Sequence, residues 1–199
     1  MSTSPLNFAA GPLVWVDCEM TGLNHKTDRI IEIAVLITDG NLDLVDEGLE
    51  YVIRTDKVAL DGMNEWCVNQ HGKSGLTAAC LKSPHTPEFV AKEVLAYVKK
   101  WIPEQRVGVL AGNSVHVDKL FLAEQMPELV DWLHYRIVDV SSIKELCRRW
   151  YPKVAPPRAK SGEIAHRALD DIRSSIRELK WYRENIFVSP NPSNSATSS

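Results

Sequence analysis

A short apolar run that ends in two acids is the feature that most constrains this chain. In LVWVDCEM, residues 13–16 are leucine, valine and tryptophan, which is typical of a strand buried on both faces. Asp17 and Glu19 follow, and if the strand continues through them their side chains project from the same face. Buried carboxylates are costly unless something neutralises them, and hard divalent cations do so through oxygen ligands. From these two residues alone, the alternative is a strand that runs out into solvent with both acids in a loop.

Composition narrows the class of protein. With 199 residues, 44% of them hydrophobic, the chain can build one domain with a sizeable core, which we place at residues 13–188, between a flexible N-terminus (1–12) and a disordered tail (189–199). We expect no membrane segment, because the sequence has neither an apolar run of spanning length nor the basic and apolar parts of a signal peptide. The net charge of −3 argues against a protein that grips long nucleic acid along its phosphates, but a short anionic ligand is compatible with it. Four cysteines without metal-type spacing favour reduced thiols and a cytoplasmic location.

The order of predicted elements indicates the fold class. Two further strands at residues 29–38 and 45–53 make an antiparallel meander with the first, and later strands at 107–111 and 136–140 alternate with helices. The predicted helices cover residues 87–101, 117–126, 141–150 and 166–185, with short helical pieces after residue 63. Three prolines in residues 152–162 indicate a loop. The pattern predicts an α/β fold with a mixed five-stranded sheet flanked by helices.

Two more acids stand where a site could be assembled. Asp118 opens a helix directly after a strand, and Asp171 lies five residues after His166 near the start of the last helix. Each acid taken alone is explained by the preference of carboxylates for the first turn of a helix. Four carboxylates at the edges of elements, with a histidine close to the last, fit a site that binds two metal ions and activates a water.

Several long motifs resemble one family. WVDCEMTGL, GNSVHVD, HYRIVDVSSIKELCRRWYP and HRALDDI, with HGKSGL between the first two, are similar in sequence and order to motifs of the oligoribonucleases in the DEDDh exonuclease superfamily. The resemblance runs from about residue 13 to residue 187. It implies an RNase-H-like fold and a 3′-to-5′ exoribonuclease that degrades very short RNA, dinucleotides included, to nucleoside 5′-monophosphates.

The resemblance also implies the catalytic residues. Asp17, Glu19, Asp118 and Asp171 correspond to the acids that bind two divalent cations, Mg²⁺ or Mn²⁺, and His166 corresponds to the general base. An imidazole with an ordinary pKa of about 6.5 can take a proton from water at neutral pH. The neighbouring Asp170 competes for the last ligand position, and the five-residue spacing from His166 favours Asp171 in this family.

Resemblance extends to the residues that bind substrate. Leu23 and Trp66 fall at positions that contact bases in the family, and His71 takes the position of a nearby histidine. Four further positions correspond to residues that close over the 5′ end of short single-stranded RNA, with Tyr135 and Arg136 supplied across a homodimer interface; the four are Ser114, Tyr135, Arg136 and Ser141.

Two other functions stay open from sequence alone. One is a nucleic-acid-binding module that keeps the fold without turnover, and the other is a proofreading-type DNA exonuclease. The choice between Mg²⁺ and Mn²⁺, the preference for RNA over DNA and the role of residues 152–162 are not determined by sequence. The compartment is also open, because family members work in mitochondria as well as in the cytoplasm.

Overall fold

A five-stranded mixed sheet organises the chain. The computed structural model describes residues 4–154, 156 and 168–187, and its strands are β1 (Leu13–Met20), β2 (Ile30–Thr38), β3 (Leu49–Val52), β4 (Val109–Gly112) and β5 (His134–Asp139). The strand order is β3-β2-β1-β4-β5, with β1–β2 and β2–β3 antiparallel and β1–β4 and β4–β5 parallel. The predicted mixed sheet is confirmed. The carboxyl ends of β1, β4 and β5 therefore meet at one edge, where open α/β sheets bind ligands.

Helices cover both faces of this sheet. They are α1 (Lys57–Asp61), α2 (Glu65–Ser74), α3 (Leu76–Lys82), α4 (Pro87–Trp101), α5 (His116–Gln125), α6 (Pro127–Trp132), α7 (Val140–Trp150) and α8 (Ala168–Asn185). The side chain of Thr86 caps α4 by accepting a hydrogen bond from the Phe89 amide, and the helix has the predicted bounds. No helix within the described ranges is long and apolar enough to cross a membrane.

The two faces of β1 belong to different parts of the core. Val14, Val16 and Cys18 pack with the buried residues of α4, α5 and α6, whereas Trp15 packs with those of α7 and α8. This alternation follows from the two-residue period of a strand. All four cysteines are buried free thiols.

Several boundaries differ from the sequence expectation. β3 is shorter than the predicted strand 45–53, because the chain first returns to β2 only through an isolated bridge and the bond from Val45 N–H to the Ile37 carbonyl, at 3.0 Å. The short helices α1 and α6 were not predicted. The predictions for the tail (189–199), for the start of the last helix and for most of residues 152–162 lie outside the described residues.

Residues 6–11 of the N-terminal segment pack against the domain. Leu6 is buried in the core and its N–H donates to the Trp101 carbonyl at 2.6 Å, and Gly40 N–H donates to the Ala10 carbonyl at 2.8 Å. A single 3₁₀ turn, Phe8–Ala10, follows, capped by the side chain of Asn7. At residues 6–11 the structure differs from the flexible segment expected over residues 1–12, because one apolar side chain and backbone pairing hold these residues in place.

Candidate active site

Three carboxylates from two elements meet at the carboxyl end of β1. The strand continues through Asp17 and Glu19, as predicted, and both project toward α8 because they share the face of Trp15. Asp171 lies in the first turn of α8. Oxygens of Asp17, Glu19 and Asp171 all lie within 4.8 Å of one another, so the three side chains could hold a metal ion together.

A fourth acid, Asp118, reaches β1 from α5. Its side chain is 6% exposed, and its Oδ1 accepts a hydrogen bond from the Cys18 N–H at 3.0 Å. This bond ties the start of α5 to the backbone between Asp17 and Glu19. The structure thus brings all four predicted acids to one end of β1, with Asp118 anchored to the strand itself.

The electrostatics of this cluster call for positive charge. Burial raises the pKa of Asp17 to about 8, and the negative charges of Asp118 and Glu19 add to the effect. Burial also raises the pKa of Asp118 to about 7, although the Cys18 N–H bond acts in the opposite direction. Acids whose ionised form is this disfavoured fit a hard divalent cation as counter-charge.

A cavity of about 320 Å³ opens beside the acids. It lies between β1, the end of β4 and α8, and most of the side chains that line it are acidic or polar. The lining residues are Asp17, Cys18, Glu19, Asn113, Asp171, Ser174, Ser175 and Glu178.

The two consecutive aspartates of α8 point in different directions. Asp170 is half exposed, with Oδ1 3.8 Å from Arg173 Nη1, while Asp171 joins Asp17 and Glu19. The predicted general base, His166, lies outside the described residues.

The two residues predicted to contact bases are exposed. Leu23, in the turn after β1, is 81% exposed, and Trp66, on α2, is 69% exposed. A core role for Trp66 is therefore excluded. Large apolar side chains this accessible are available to a planar ligand.

His71 links α2 to the acids. Its side chain is 2% exposed, and Nε2 lies 2.9 Å from the Met20 carbonyl, which can only accept, so Nε2 carries the proton. Nδ1 then faces Glu19, with 3.9 Å to Oε2. In this structure His71 borders the site through Glu19 rather than through an exposed surface.

Asp139 accepts hydrogen bonds from two of the predicted 5′-end residues, Ser114 and Ser141, which follow the carboxyl ends of β4 and β5. Its Oδ1 accepts from the Ser114 N–H at 2.9 Å, the Ser141 N–H at 3.0 Å and the Ser141 hydroxyl at 2.6 Å. Its Oδ2 lies 3.1 Å from His116 Nδ1. Despite burial, these bonds hold the pKa of Asp139 below its ordinary value.

The other two predicted 5′-end residues lie on the outer strand β5. Tyr135 is 65% exposed, and the guanidinium carbon of Arg136 lies 5.3 Å from the centre of its ring. Both side chains are thus on the surface at an edge of the sheet.

Sequence reasoning missed part of the cavity wall. Asn113 Nδ2 lies 3.3 Å from Ser175 Oγ and 3.4 Å from Glu178 Oε2, and Lys144 Nζ lies 3.0 Å from Glu178 Oε1. The available signal was helical spacing, because Ser175 and Glu178 follow Asp171 by four and seven residues and therefore share its face. From sequence alone, Lys144 is interpreted only as part of a basic exposed face.

A buried acid on β2 was also missed. Glu32 is 2% exposed, pairs with Glu19 across β1 and β2, and its charge contributes to the raised pKa of Asp17. The signal was a single acid within the apolar run of the second strand.

Comparison with known proteins agrees with this geometry. A family model described as exonuclease matches residues 14–179. A probable oligoribonuclease of Schizosaccharomyces pombe is 52% identical over 172 residues, which cover 86% of this chain and 67% of that protein. The oligoribonuclease of Rhodococcus jostii is 50% identical, with 92% of both chains covered. A human relative named mitochondrial oligoribonuclease is 51% identical over 88% of this chain and 73% of its own length.

Solved structures with the same fold are more distant in sequence. Exonuclease I of Methylocaldum szegediense superposes with a TM-score of 0.67 at 17% identity, covering 88% of this chain and 41% of that one. Escherichia coli exonuclease I in complex with a 5cy-dT13 oligonucleotide gives 0.69 at 15% identity, covering 88% of this chain and 41% of that one. This chain therefore spans about two fifths of those structures, and the likeness establishes the RNase-H-like exonuclease fold. With the family model and relatives at about half identity, the chain belongs to the exonuclease family and, within it, to the oligoribonucleases.

Proposed function

We propose that this chain hydrolyses short single-stranded RNA from the 3′ end, with dinucleotides as preferred substrates and nucleoside 5′-monophosphates as products. The observation that carries the proposal is the convergence of Asp17, Glu19 and Asp171 oxygens within 4.8 Å at the carboxyl end of β1. Carboxylate clusters of this kind hold the cations of phosphoryl-transfer enzymes. The domain responsible is residues 13–188.

The acids would hold two divalent cations, Mg²⁺ or Mn²⁺. Bound together, two such ions stabilise the attacking and leaving oxygens of an in-line displacement at phosphorus. Asp17 is the candidate for a shared ligand, because its carboxylate lies close to those of both Glu19 and Asp171 and its pKa is raised by burial to about 8. Asp118 completes the set and fixes the strand through Cys18.

His166 is proposed as the general base that accepts the proton of the attacking water. It lies two residues before α8, five residues before Asp171. His166→Ala should abolish turnover and leave binding of an RNA dinucleotide largely intact. A near-native rate in this variant would refute the assignment.

The 3′ nucleotide would stack on exposed side chains. Leu23 and Trp66 provide apolar surface on the turn after β1 and on α2, and His71 lies between α2 and Glu19. Stacking a base on an aromatic ring is sequence-tolerant and contributes about 1–3 kcal/mol. These contacts suit a substrate that is read by length rather than by sequence.

The 5′ end would be closed by residues of the Asp139 cluster together with a second subunit. Ser114 and Ser141 lie at the carboxyl ends of β4 and β5, and the partner subunit would supply Tyr135 and Arg136. Arginine can hold a phosphate through its fork of donors. Such a cap needs few phosphate contacts, which suits a chain with a net charge of −3. Sedimentation as a fully active monomer would remove the homodimer from the proposal.

We propose the cytoplasm as the compartment, with the mitochondrion as the alternative that the names of relatives suggest. Fluorescence microscopy of the tagged full-length protein would distinguish the two.

The function is tested by cleavage of a 5′-labelled RNA dinucleotide and heptanucleotide, with Mg²⁺ or Mn²⁺ and with chelator. We expect rapid metal-dependent loss of the dinucleotide and a steep fall in kcat/KM at seven nucleotides. Asp17→Asn is the matched control, because it removes charge at nearly constant volume.

Each other result selects a different function. Equal rates at both lengths would keep the metal chemistry and remove the 5′ cap. Binding without cleavage would favour the nucleic-acid-binding module. Equal cleavage of the corresponding DNA dinucleotide would favour a DNA exonuclease.

A further inference from the structure

Asn113 occupies a central place at the edge where the site lies. In the parallel pairing of β1 with β4, Trp15 lies opposite Ala111, and Asn113 directly follows Gly112, the last residue of β4. The side chain of Asn113 contacts Ser175 and Glu178 on α8, on the side of the sheet where Ala111 packs. Asn113 therefore lines the cavity next to the acids rather than the opposite face of the sheet.

The contacts of Asn113 fix which end of its amide faces the cavity. Nδ2 lies 3.4 Å from Glu178 Oε2, and an ionised carboxylate can only accept. Nδ2 also lies 3.3 Å from Ser175 Oγ, whose own proton is donated to the Asp171 carbonyl at 3.0 Å. Ser175 Oγ and Glu178 Oε2 therefore both need a hydrogen-bond donor from the Asn113 amide. The NH₂ group faces the helix, and Oδ1 is left to accept hydrogen bonds.

Glu178 is itself held firmly. Its Oε1 accepts from Tyr182 Oη at 3.1 Å and lies 3.0 Å from Lys144 Nζ on α7, and its side chain is 16% exposed. Contacts from two helices thus fix the carboxylate that orients the Asn113 amide. Because the lysine end of this ion pair is half exposed, the pair is better suited to setting geometry beside the cavity than to adding stability.

An acceptor at this place selects for a donor in the substrate. Phosphate oxygens accept only, so Oδ1 cannot bind them. β4 lies between β1, whose acids would hold the scissile phosphate, and β5, whose Asp139 cluster would lie at the 5′-terminal phosphate. Neighbouring strands are about 4.8 Å apart, so Asn113 lies beside the group that joins these two phosphates. That group is the ribose of the 5′ nucleotide, and its one free hydroxyl is the 2′-OH.

We propose that Asn113 is a specificity-determining residue whose Oδ1 accepts a hydrogen bond from the 2′-hydroxyl of the 5′ nucleotide, and that Glu178 is the residue that positions it. The inference rests on the proposed function, since it takes the positions of the two phosphates from it. It adds a physical basis for preferring RNA to DNA at one defined sugar.

The test compares three 5′-phosphorylated dinucleotides in the presence of Mg²⁺. One has ribose throughout, one has 2′-fluoro at the 5′ nucleotide, and one has 2′-fluoro at the 3′ nucleotide. Fluorine removes the donor while keeping a ribose-like pucker. For the wild-type protein we expect kcat/KM to fall about fivefold with fluorine at the 5′ nucleotide, the equivalent of one neutral hydrogen bond, and to change less at the 3′ nucleotide.

Two variants assign this effect to Asn113. In Asn113→Leu, which keeps the branched shape and removes the acceptor, the ratio of ribose to 5′-nucleotide 2′-fluoro activity should fall to about one. The swap of Asn113→Asp with Glu178→Gln keeps the total charge. In the swap the new amide on α8 supplies the donor, and an oxygen of the new carboxylate at the end of β4 again faces the cavity. The ratio should then return toward the wild-type value.

The outcomes separate this inference from the proposed function. Wild-type protein that cleaves all three substrates equally, or an Asn113→Leu variant that keeps the wild-type ratio, overturns the role of Asn113 and leaves the exonuclease intact. A swap that folds but does not regain discrimination overturns the positioning role of Glu178. Failure of the wild-type protein to cleave the all-ribose dinucleotide would overturn the proposed function and this inference with it.

Discussion

Two aspartates near the ends of strands have opposite surroundings. Asp46, just after the bridge between β2 and the chain that leads to β3, accepts three hydrogen bonds: from Tyr97 Oη at 2.6 Å, Trp101 Nε1 at 2.8 Å and the Gly48 N–H at 2.8 Å. Asp17 instead faces other carboxylates. Although burial opposes it, the bonds to Asp46 lower its pKa, whereas burial and like charges raise that of Asp17 to about 8.

The difference distinguishes a carboxylate that serves the fold from one that serves the site. Donors from α4 satisfy Asp46, so its charge stabilises the native state. Asp17 is held where its charge is disfavoured until a cation arrives. Carboxylates with a pKa raised in this way are concentrated at functional sites.

The largest expected effect comes from neutralising Asp17. Asp17→Asn should lower kcat/KM for an RNA dinucleotide by more than the roughly 100-fold that follows loss of an outer partner of a metal ligand. The same substitution should raise the Tm of chelated protein at neutral pH, because an amide does not have to take up a proton on folding as the Asp17 carboxyl does. Activity within tenfold of wild type would contradict the assignment of Asp17 as a shared ligand.

Truncating Asp46 should lower stability and leave activity unchanged, the reverse of what we expect for Asp17→Asn. Asp46→Ala leaves the hydroxyl of Tyr97 and the indole N–H of Trp101 without their acceptor, and should lower the free energy of unfolding by about 2–4 kcal/mol with kcat unchanged. Urea denaturation in chelator measures it. Asp43→Ala is the matched control, because Asp43 is 74% exposed and 3.6 Å from Lys180, and should change stability by less than about 0.5 kcal/mol. Equal losses of stability in Asp46→Ala and Asp43→Ala would contradict the stabilising role of Asp46.

The two aspartates should also give opposite slopes of stability against pH in metal-free protein. The folded pKa of Asp17 is raised from 3.8 to about 8, so between these values the folded state binds more protons than the unfolded state, and stability should fall as pH rises. For Asp46 the folded pKa is lowered, so its contribution is present above 3.8 and is lost as pH falls through the folded value.

Thermal unfolding across this pH range, with chelator, distinguishes the two contributions. Asp17→Asn should flatten the decline toward pH 8, and Asp46→Ala should reduce the loss in acid. Superimposable curves for the wild-type and Asp17→Asn proteins would contradict the raised pKa.

The smallest expected effect comes from Asp139. It tests whether the difference between Asp17 and Asp46 arises from their location in the sheet or from the hydrogen bonds that each accepts. Asp139 lies at the same sheet edge as Asp17, yet its bonds to Ser114, Ser141 and His116 lower its pKa. Asp139→Ala should therefore behave as a positioning change, raising KM for a 5′-phosphorylated dinucleotide about fivefold with a smaller effect on kcat. A fall in kcat alone would place Asp139 with the catalytic acids instead.

Much of the fold was predictable because the strongest signals were local. The buried strand, its two same-face acids and the bounds of α4 follow from apolar periodicity and from Thr86 as a cap. The length of β3 was not predictable, since apolar alternation continues through residues that pair with β2 only in part. The packing of Leu6 depends on a backbone bond to Trp101, far along the chain, which no local pattern indicates.

The candidate site also has residues that local sequence indicates and residues whose contacts depend on tertiary packing. The acids stand in long motifs that could be recognised one by one. Asn113 and Glu178 come together only when β4 and α8 pack, so their contact depends on tertiary structure. His71 belongs to the predicted substrate-binding set, but its burial against Glu19 and Met20 was not predicted.

The bond between the Cys18 N–H and Asp118 has a consequence for synthesis of the chain on the ribosome. It joins positions 100 residues apart, and Asp171 arrives only with the last described helix. A nascent chain that has made β1 carries Asp17 and Glu19 but not the acids that would close around a cation. The acid cluster can therefore be completed only once α8 has emerged and docked, so the candidate site is among the last parts of the protein to form.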